Sequence, residues 1–125
     1  MFKSVLIVGL GGFIGSASRF LVSRYFQLQT LSDFPWGTFT VNIVGSLIIG
    51  LVYGLSERSN FLSPELRLFL AVGFCGGFTT FSSFANDMLL MLQGRELFHF
   101  IIYSGASFIL GLVSVFIGRY LVQIL

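Results

Sequence analysis

Charge is what this sequence has least of. Of its 125 residues 10% are charged and 55% hydrophobic, whereas soluble domains carry about 25% charged residues. So few charges cannot cover a water-facing surface, which excludes a soluble globular domain. There is a single cysteine, Cys75, so no intrachain disulfide framework exists; its expected role is a small buried residue inside an apolar span. The net charge of +2 is scattered along the chain and offers nucleic acid no basic face. No acidic residue falls in the middle of an apolar stretch, which removes the intramembrane carboxylate that small cation exporters hold. No ten-residue segments alternate apolar and polar residues, so barrel strands are excluded too. Long repeats and low-complexity tracts are missing.

What remains is a chain made for lipid. Mean hydropathy is +0.94, and sixteen Phe and fifteen Gly fit a bilayer, where glycine lets helices approach closely. Four apolar stretches, 5–26, 36–56, 66–92 and 97–122, reach the length of about 20 residues a spanning helix needs. The connections 27–35, 57–65 and 93–96 carry turn or charged residues, as in "SDFP", "SERSNFLSPE" and "QGRE". Pro64 ahead of Glu65 suits the start of the third helix. The expected fold is an all-α integral membrane protein, one four-helix domain over 1–125. A chain this small buries little internal surface, so partners are expected. Small residues four apart occur in every span, as Gly11/Gly15, Gly50/Gly54, Gly73/Gly77 and Ser107/Gly111; they let helices touch backbone to backbone.

Two features of the amino terminus imitate something else. "VLIVGLGGFIGS" places Gly9, Gly12 and Gly15 at a dinucleotide-fold spacing, with Asp33 near the distance of a ribose-binding acid. That chemistry needs a strand, a tight turn, a helix and further soluble βαβ units, and the rest of the chain is spanning helix. Lys3 before an apolar run also resembles a signal peptide, but the run is too long and three more spans follow. A retained helix is expected.

With four spans, both termini and the 57–65 connection share one side of the membrane. Lys3, Arg58, Arg67 and Arg119 fall on or near that side, Arg24 and Arg95 on the other. This bias is thin, and Arg67 and Arg119 lie inside their helix ends. Insertion both ways round stays open.

Polar residues inside the spans are the candidates for function, because charge in a span is costly by a few kcal/mol. Arg19 is either a snorkelling side chain or a charge facing a watery vestibule that attracts anions. Asn42 either makes an interhelical hydrogen bond of about 1 kcal/mol or turns its amide to a permeating anion. Tyr103, Ser107 and Ser114 share a stripe of the fourth helix, which reads as an ion-lined face or as interhelical hydrogen bonding.

The stretch "GGFTTFSSF", Gly76 to Phe84, is the least compatible with a plain anchor. Gly76 and Gly77 followed by Thr79 and Thr80 predict a helix break that frees carbonyls, tolerated at membrane depth only where the backbone is buried or binds something. Free carbonyls suit a hard cation such as Na⁺. Beyond the break Phe81 and Phe84 share a helix face, interleaved with Ser82 and Ser83. A benzene ring has a positive edge, so two edges turned to a conduit could meet a small anion.

Together "GGFIGSASRF", "GTFTVNIVGS" and "GFCGGFTTFSSF" carry a resemblance to the Fluc (CrcB) family of bacterial fluoride channels, over nearly the whole length and all four spans in order. The resemblance implies an antiparallel, dual-topology homodimer in the bacterial inner membrane. It implies two pores and a central Na⁺ held by the backbone carbonyls of Gly76 and Thr79. The fluoride pathway maps onto Asn42, Phe81, Phe84, Tyr103 and Ser107, with Ser83 among the accompanying hydroxyls, and the vestibule arginine onto Arg19. Gly111 departs from relatives that continue the fourth-helix hydroxyls with a serine, and Asp87 stands where relatives often have a glutamate. The implied activity is passive export of F⁻. A small dual-topology multidrug or cation exporter and a non-transporting structural membrane protein are the alternatives.

Overall fold

A computed structural model describes residues 1–58 and 62–125; residues 59–61 of the 57–65 connection lie outside the described residues. Helix α1 is Phe2–Gln29 and α2 is Trp36–Arg58. The third span, Pro64–Gln93, is segmented. It comprises α3 (Pro64–Arg67), a π-helical stretch (Leu68–Cys75), α4 (Gly76–Phe78) and, after a break, α5 (Phe81–Gln93). Helix α6 is Leu97–Ile124. Among the described residues four helices are long and apolar enough to cross a membrane. Each extends a few residues beyond its apolar stretch, because helix geometry satisfies the backbone past the point where side chains turn polar.

The start of the third span follows local rules. Ser63 caps it by accepting from Leu66 N–H at 3.1 Å, and Pro64 occupies the first turn, where a missing N–H costs nothing. The dinucleotide reading of the amino terminus fails because "VLIVGLGGFIGS" lies wholly within α1, with no strand ahead of it.

Glycines set the helix pairs. A side chain at Gly11 would meet Phe69 O at 2.5 Å and Gly73 Cα at 3.0 Å, and one at Gly15 would collide with Phe74 O. Gly77 lies against Gly12 O and Ser16 N. The α1 stripe thus runs parallel to the Gly73/Gly77 stripe at backbone contact distance. On the other side of the bundle Gly50 sits against Val115 and Gly118 against Leu47 O at 2.5 Å, joining α2 to α6. The expected fourth-span pair is corrected here: a side chain at Gly111 would meet only Ser46 Oγ at 3.7 Å, so Gly118 is the closely packed glycine of α6. At the carboxyl end Arg58 Nη1 donates to Val122 O at 2.5 Å, and Arg119 pairs with Glu57.

Among the described residues the buried apolar core is small: Val41, Val52, Ala71, Cys75, Phe78, Met91, Tyr103 and Val122. Cys75 is buried as expected. Long apolar side chains such as Phe13, Phe108 and Phe116 are at least 70% exposed. Such an apolar exterior suits lipid or another protein chain and does not suit water.

Candidate functional site

The third span breaks at Thr79 and Thr80, which are both extended (φ −89°, ψ 161° and φ −151°, ψ 121°). Of Gly76, Gly77, Thr79 and Thr80, predicted together to open the helix, the two glycines are themselves helical. Gly77 is required for close packing on α1, so the break lies two residues later than the glycines. The threonines carry it because their hydroxyls replace lost backbone partners. Thr79 Oγ1 and Thr79 N both donate to Cys75 O, at 2.8 and 3.0 Å, closing the first half-helix. Thr80 Oγ1 accepts from Ser83 N–H at 3.2 Å and caps α5.

Asn42 clips the break from α2. Its Oδ1 accepts from Thr80 N–H at 2.8 Å and its Nδ2 donates to Thr80 O at 3.1 Å. The amide thereby satisfies both backbone groups of one extended residue. One consequence concerns carbonyls. In an unbroken helix Thr80 N–H would reach Gly76 O and Ser83 N–H would reach Thr79 O. Here Asn42 and Thr80 Oγ1 capture those donors, so Gly76 O and Thr79 O lose their helical partners. Two hard oxygens per chain suit an alkali cation. Among the described residues no cluster of three His, Cys, Asp or Glu is placed to hold a metal.

A cavity of about 320 Å³ opens at the break, lined by Asn42, Gly76, Thr79, Thr80, Phe81 and Phe84 among others. By inventory the Asn42 amide has a second N–H beyond the one given to Thr80. The Phe81 and Phe84 rings stand 6.2 Å apart at 58°. Phe84 in turn meets Tyr103 in an edge-on contact, 5.0 Å and 62°. Phe81 is 77% exposed, although it lines the same cavity as Asn42 and Thr80.

Residues 6–119 match the family described as CrcB-like protein, Camphor Resistance (CrcB). The chain belongs to the CrcB family. It is 51% identical over 122 residues to the "Fluoride-specific ion channel FluC" of Bacteroides fragilis, covering 95% of each chain. It is 45% identical over 115 residues to the protein of that name from Chlorobium luteolum, covering 92% of this chain and 88% of the relative. The Leptospira interrogans protein of that name is 39% identical over 121 residues, covering 97% of this chain and 95% of the relative. These CrcB relatives are named as channels, not enzymes.

The remaining CrcB candidates occupy a second region. Arg19 Nε donates to Gly77 O at 2.9 Å, so its cation sits at the carboxyl end of the first half-helix, where the helix dipole favours positive charge. Arg19 also lines a polar cavity of about 520 Å³ with Ser83, Asn86 and Asp87. Ser83 therefore faces this polar cavity and is absent from the lining of the ring cavity. Tyr103 is fully buried and donates to Asp87 Oδ2 at 3.0 Å. One turn along α6, Ser107 Oγ is buried without a hydrogen-bond partner among the described residues. An orphaned hydroxyl of this kind calls for a ligand or water.

Sequence reasoning offered two readings each for Asn42 and Arg19, and the structure gives both side chains a backbone partner on the third span. The signal for Arg19 was present but unused. It lies four residues beyond Gly15 on the stripe that packs against Gly73 and Gly77, so a break near Gly77 places free carbonyls within its reach. The π-helical stretch Leu68–Cys75 had no sequence signal, because its composition is that of any apolar helix.

Proposed function

We propose that this chain is a fluoride-selective channel through which F⁻ leaves the cytoplasm passively, lowering intracellular fluoride toxicity. The observation that carries the reading is one cavity that gathers a spare amide N–H of Asn42 and the rings of Phe81 and Phe84. Fluoride is small and holds its water tightly, so a selective path must replace that shell with many donors at once. Ring edges and amide protons do this in a space that excludes bulk water, and larger halides fit the narrow lining poorly. The unpartnered Ser107 hydroxyl continues the path along α6, beside Tyr103, whose own proton is committed to Asp87, and Arg19 and Ser83 line a vestibule that raises the local concentration of anions. A membrane potential of 100 mV, inside negative, favours exit by about 2.3 kcal/mol per charge.

The working unit is an antiparallel homodimer inserted in both orientations in the bacterial inner membrane. A side chain at Gly76 would meet nothing within 4 Å in this chain, yet Gly76 lines the cavity at the break. The exposed Phe81 is covered in such a dimer. The same interface brings two copies of Gly76 O and Thr79 O together, and these four carbonyls are the residues that would hold a structural Na⁺. Its contribution is to offset the loss of helical donors at the two breaks.

Proteoliposome efflux comparing F⁻, Cl⁻ and a lipophilic cation tests the reading. Fluoride-selective efflux is expected. Exchange of the lipophilic cation would favour a small multidrug exporter, and no flux of any ion a structural protein.

A further inference from the structure

Asn42 and Ser46 lie one turn apart on the same face of α2, and both line the cavity of about 320 Å³ at the break, with Phe81 and Phe84. That face is pressed onto the third span, since a side chain at Gly45 would collide with Thr79 Cγ2. Asn42 spends its amide on Thr80, whereas the clip makes no use of Ser46. The Ser46 hydroxyl donates instead to Asn42 O at 2.7 Å, one turn back in its own helix. In an α-helix that carbonyl is also the ordinary acceptor of the Ser46 N–H. The hydroxyl bond is therefore a second claim on an oxygen already satisfied. Turning the hydroxyl elsewhere leaves no backbone group unpaired.

Ser46 also meets α6. Tyr103, Ser107 and Gly111 follow one another at four-residue spacing along one face of that helix, and the third of them has no side chain to offer. A Cβ at Gly111 would meet Ser46 Oγ at 3.7 Å and, among the described residues, no other atom from outside its own helix within 4 Å. The place left open by Gly111 is thus occupied by a hydroxyl from α2. One turn before Gly111, Ser107 Oγ is buried without a partner. Neither Ser107 nor Tyr103 lines the cavity at the break. Ser46 does line it, and Ser46 also reaches the α6 face on which they lie.

We propose that Ser46 is a further residue of the anion path, whose hydroxyl passes the ion between the ring cavity and the α6 stripe in place of the side chain that Gly111 lacks. An anion in the cavity turns the hydroxyl away from Asn42 O by rotation about the Cβ–Oγ bond. A neutral hydrogen bond is then exchanged for a charge-assisted one, which is the stronger. The proposal rests on the fluoride reading for the identity of the ion. The position of the donor is its own content, and that is tested by moving the hydroxyl from one helix to the other.

Proteoliposome F⁻ efflux is compared between the wild type, Ser46→Ala and the double variant Ser46→Ala with Gly111→Ser, each checked by size exclusion and a melting curve. Ser46→Ala should slow efflux by about tenfold or more, the share of one hydrogen bond to a charged group. Gly111→Ser has room for its side chain and returns a hydroxyl to the same gap from α6, so the double variant should recover most of the lost rate. A Ser46 hydroxyl that only braces α2 predicts otherwise: a shift in melting with efflux retained, or a loss of efflux that Gly111→Ser does not restore. Either result overturns the proposal. If Ser46→Ala does not elute as wild type, Ser46→Cys, which keeps the shape and weakens the donor, replaces it under the same criteria. Wild-type protein that passes no F⁻ refutes the channel reading and the proposal with it, whereas normal wild-type efflux beside an unaffected Ser46→Ala refutes the role of Ser46 alone.

Discussion

Replacing Asn42 by Asp perturbs a single atom type and tests two roles of the residue at once. The oxygen that accepts from Thr80 N–H at 2.8 Å is kept, while the nitrogen that donates to Thr80 O at 3.1 Å becomes a carboxylate oxygen. One hydrogen bond is lost and two acceptors face each other. Leaving the Thr80 carbonyl unpaired at partial burial costs about 1–3 kcal/mol of stability. The effect on transport is larger. A negative charge about 5 Å from a transiting anion contributes about 3 kcal/mol of repulsion at an effective dielectric constant of 20. That corresponds to a loss of about two orders of magnitude in occupancy of the site. Efflux of F⁻ from proteoliposomes, read with a fluoride electrode, gives the rate, and size exclusion in detergent with a melting curve gives the fold. The expected result is a small loss of thermal stability with a collapse of efflux. Asn42→Asp protein that stays folded and empties vesicles near the wild-type rate would refute the placement of Asn42 in the pathway and leave it only its clip on Thr80.

Phe81→Ile and Phe84→Ile keep bulk and lose the electropositive ring edge; a packing role predicts a cost of about 1.5 kcal/mol or less with transport intact, whereas the pathway reading predicts lost efflux in folded protein. Gly77→Ala should destabilise the chain by about 1–3 kcal/mol through overpacking, since the methyl would lie 2.6 Å from Gly12 O. Gly76→Ala meets nothing within 4 Å in the chain, so it should leave the melting of the isolated chain unchanged while weakening dimerisation, measured by size exclusion; equal effects of the two alanines would argue against a partner at Gly76. Thorough exchange of Na⁺ for a bulky organic cation, verified by elemental analysis, should reduce efflux or dimer stability, and indifference of both would remove the structural cation. Cysteines placed near Lys3 and near Gly94 should each be labelled in part from outside intact cells, and labelling at only one of them would exclude dual topology.

Spans and pairing surfaces were legible because they depend on local composition and period. Four runs of apolar residues are long enough to cross a bilayer wherever they sit, and Gly11/Gly15 with Gly73/Gly77 carry their contact geometry in the absence of side chains. The break was legible to within two residues, since threonine hydroxyls and glycines both loosen a helix. Sequence alone could not choose between them: Gly77 is held helical by a contact with Gly12, sixty-odd positions away in the chain and visible only once α1 is in place. The same holds for Asn42 and Arg19. Each is a costly polar group whose need for a partner follows from its chemistry, but Thr80 and Gly77 become the partners only after helix packing brings them within 3.1 Å. Phe34 shows the limit most clearly. In the sequence it is one of sixteen phenylalanines; in the structure its ring, in the connection between α1 and α2, meets the Tyr103 ring edge-on at 5.3 Å, a contact that exists only once α6 is in place. Local hydrophobic pattern determines which segments enter the membrane, and long-range packing determines which polar atoms within them are left to meet an ion.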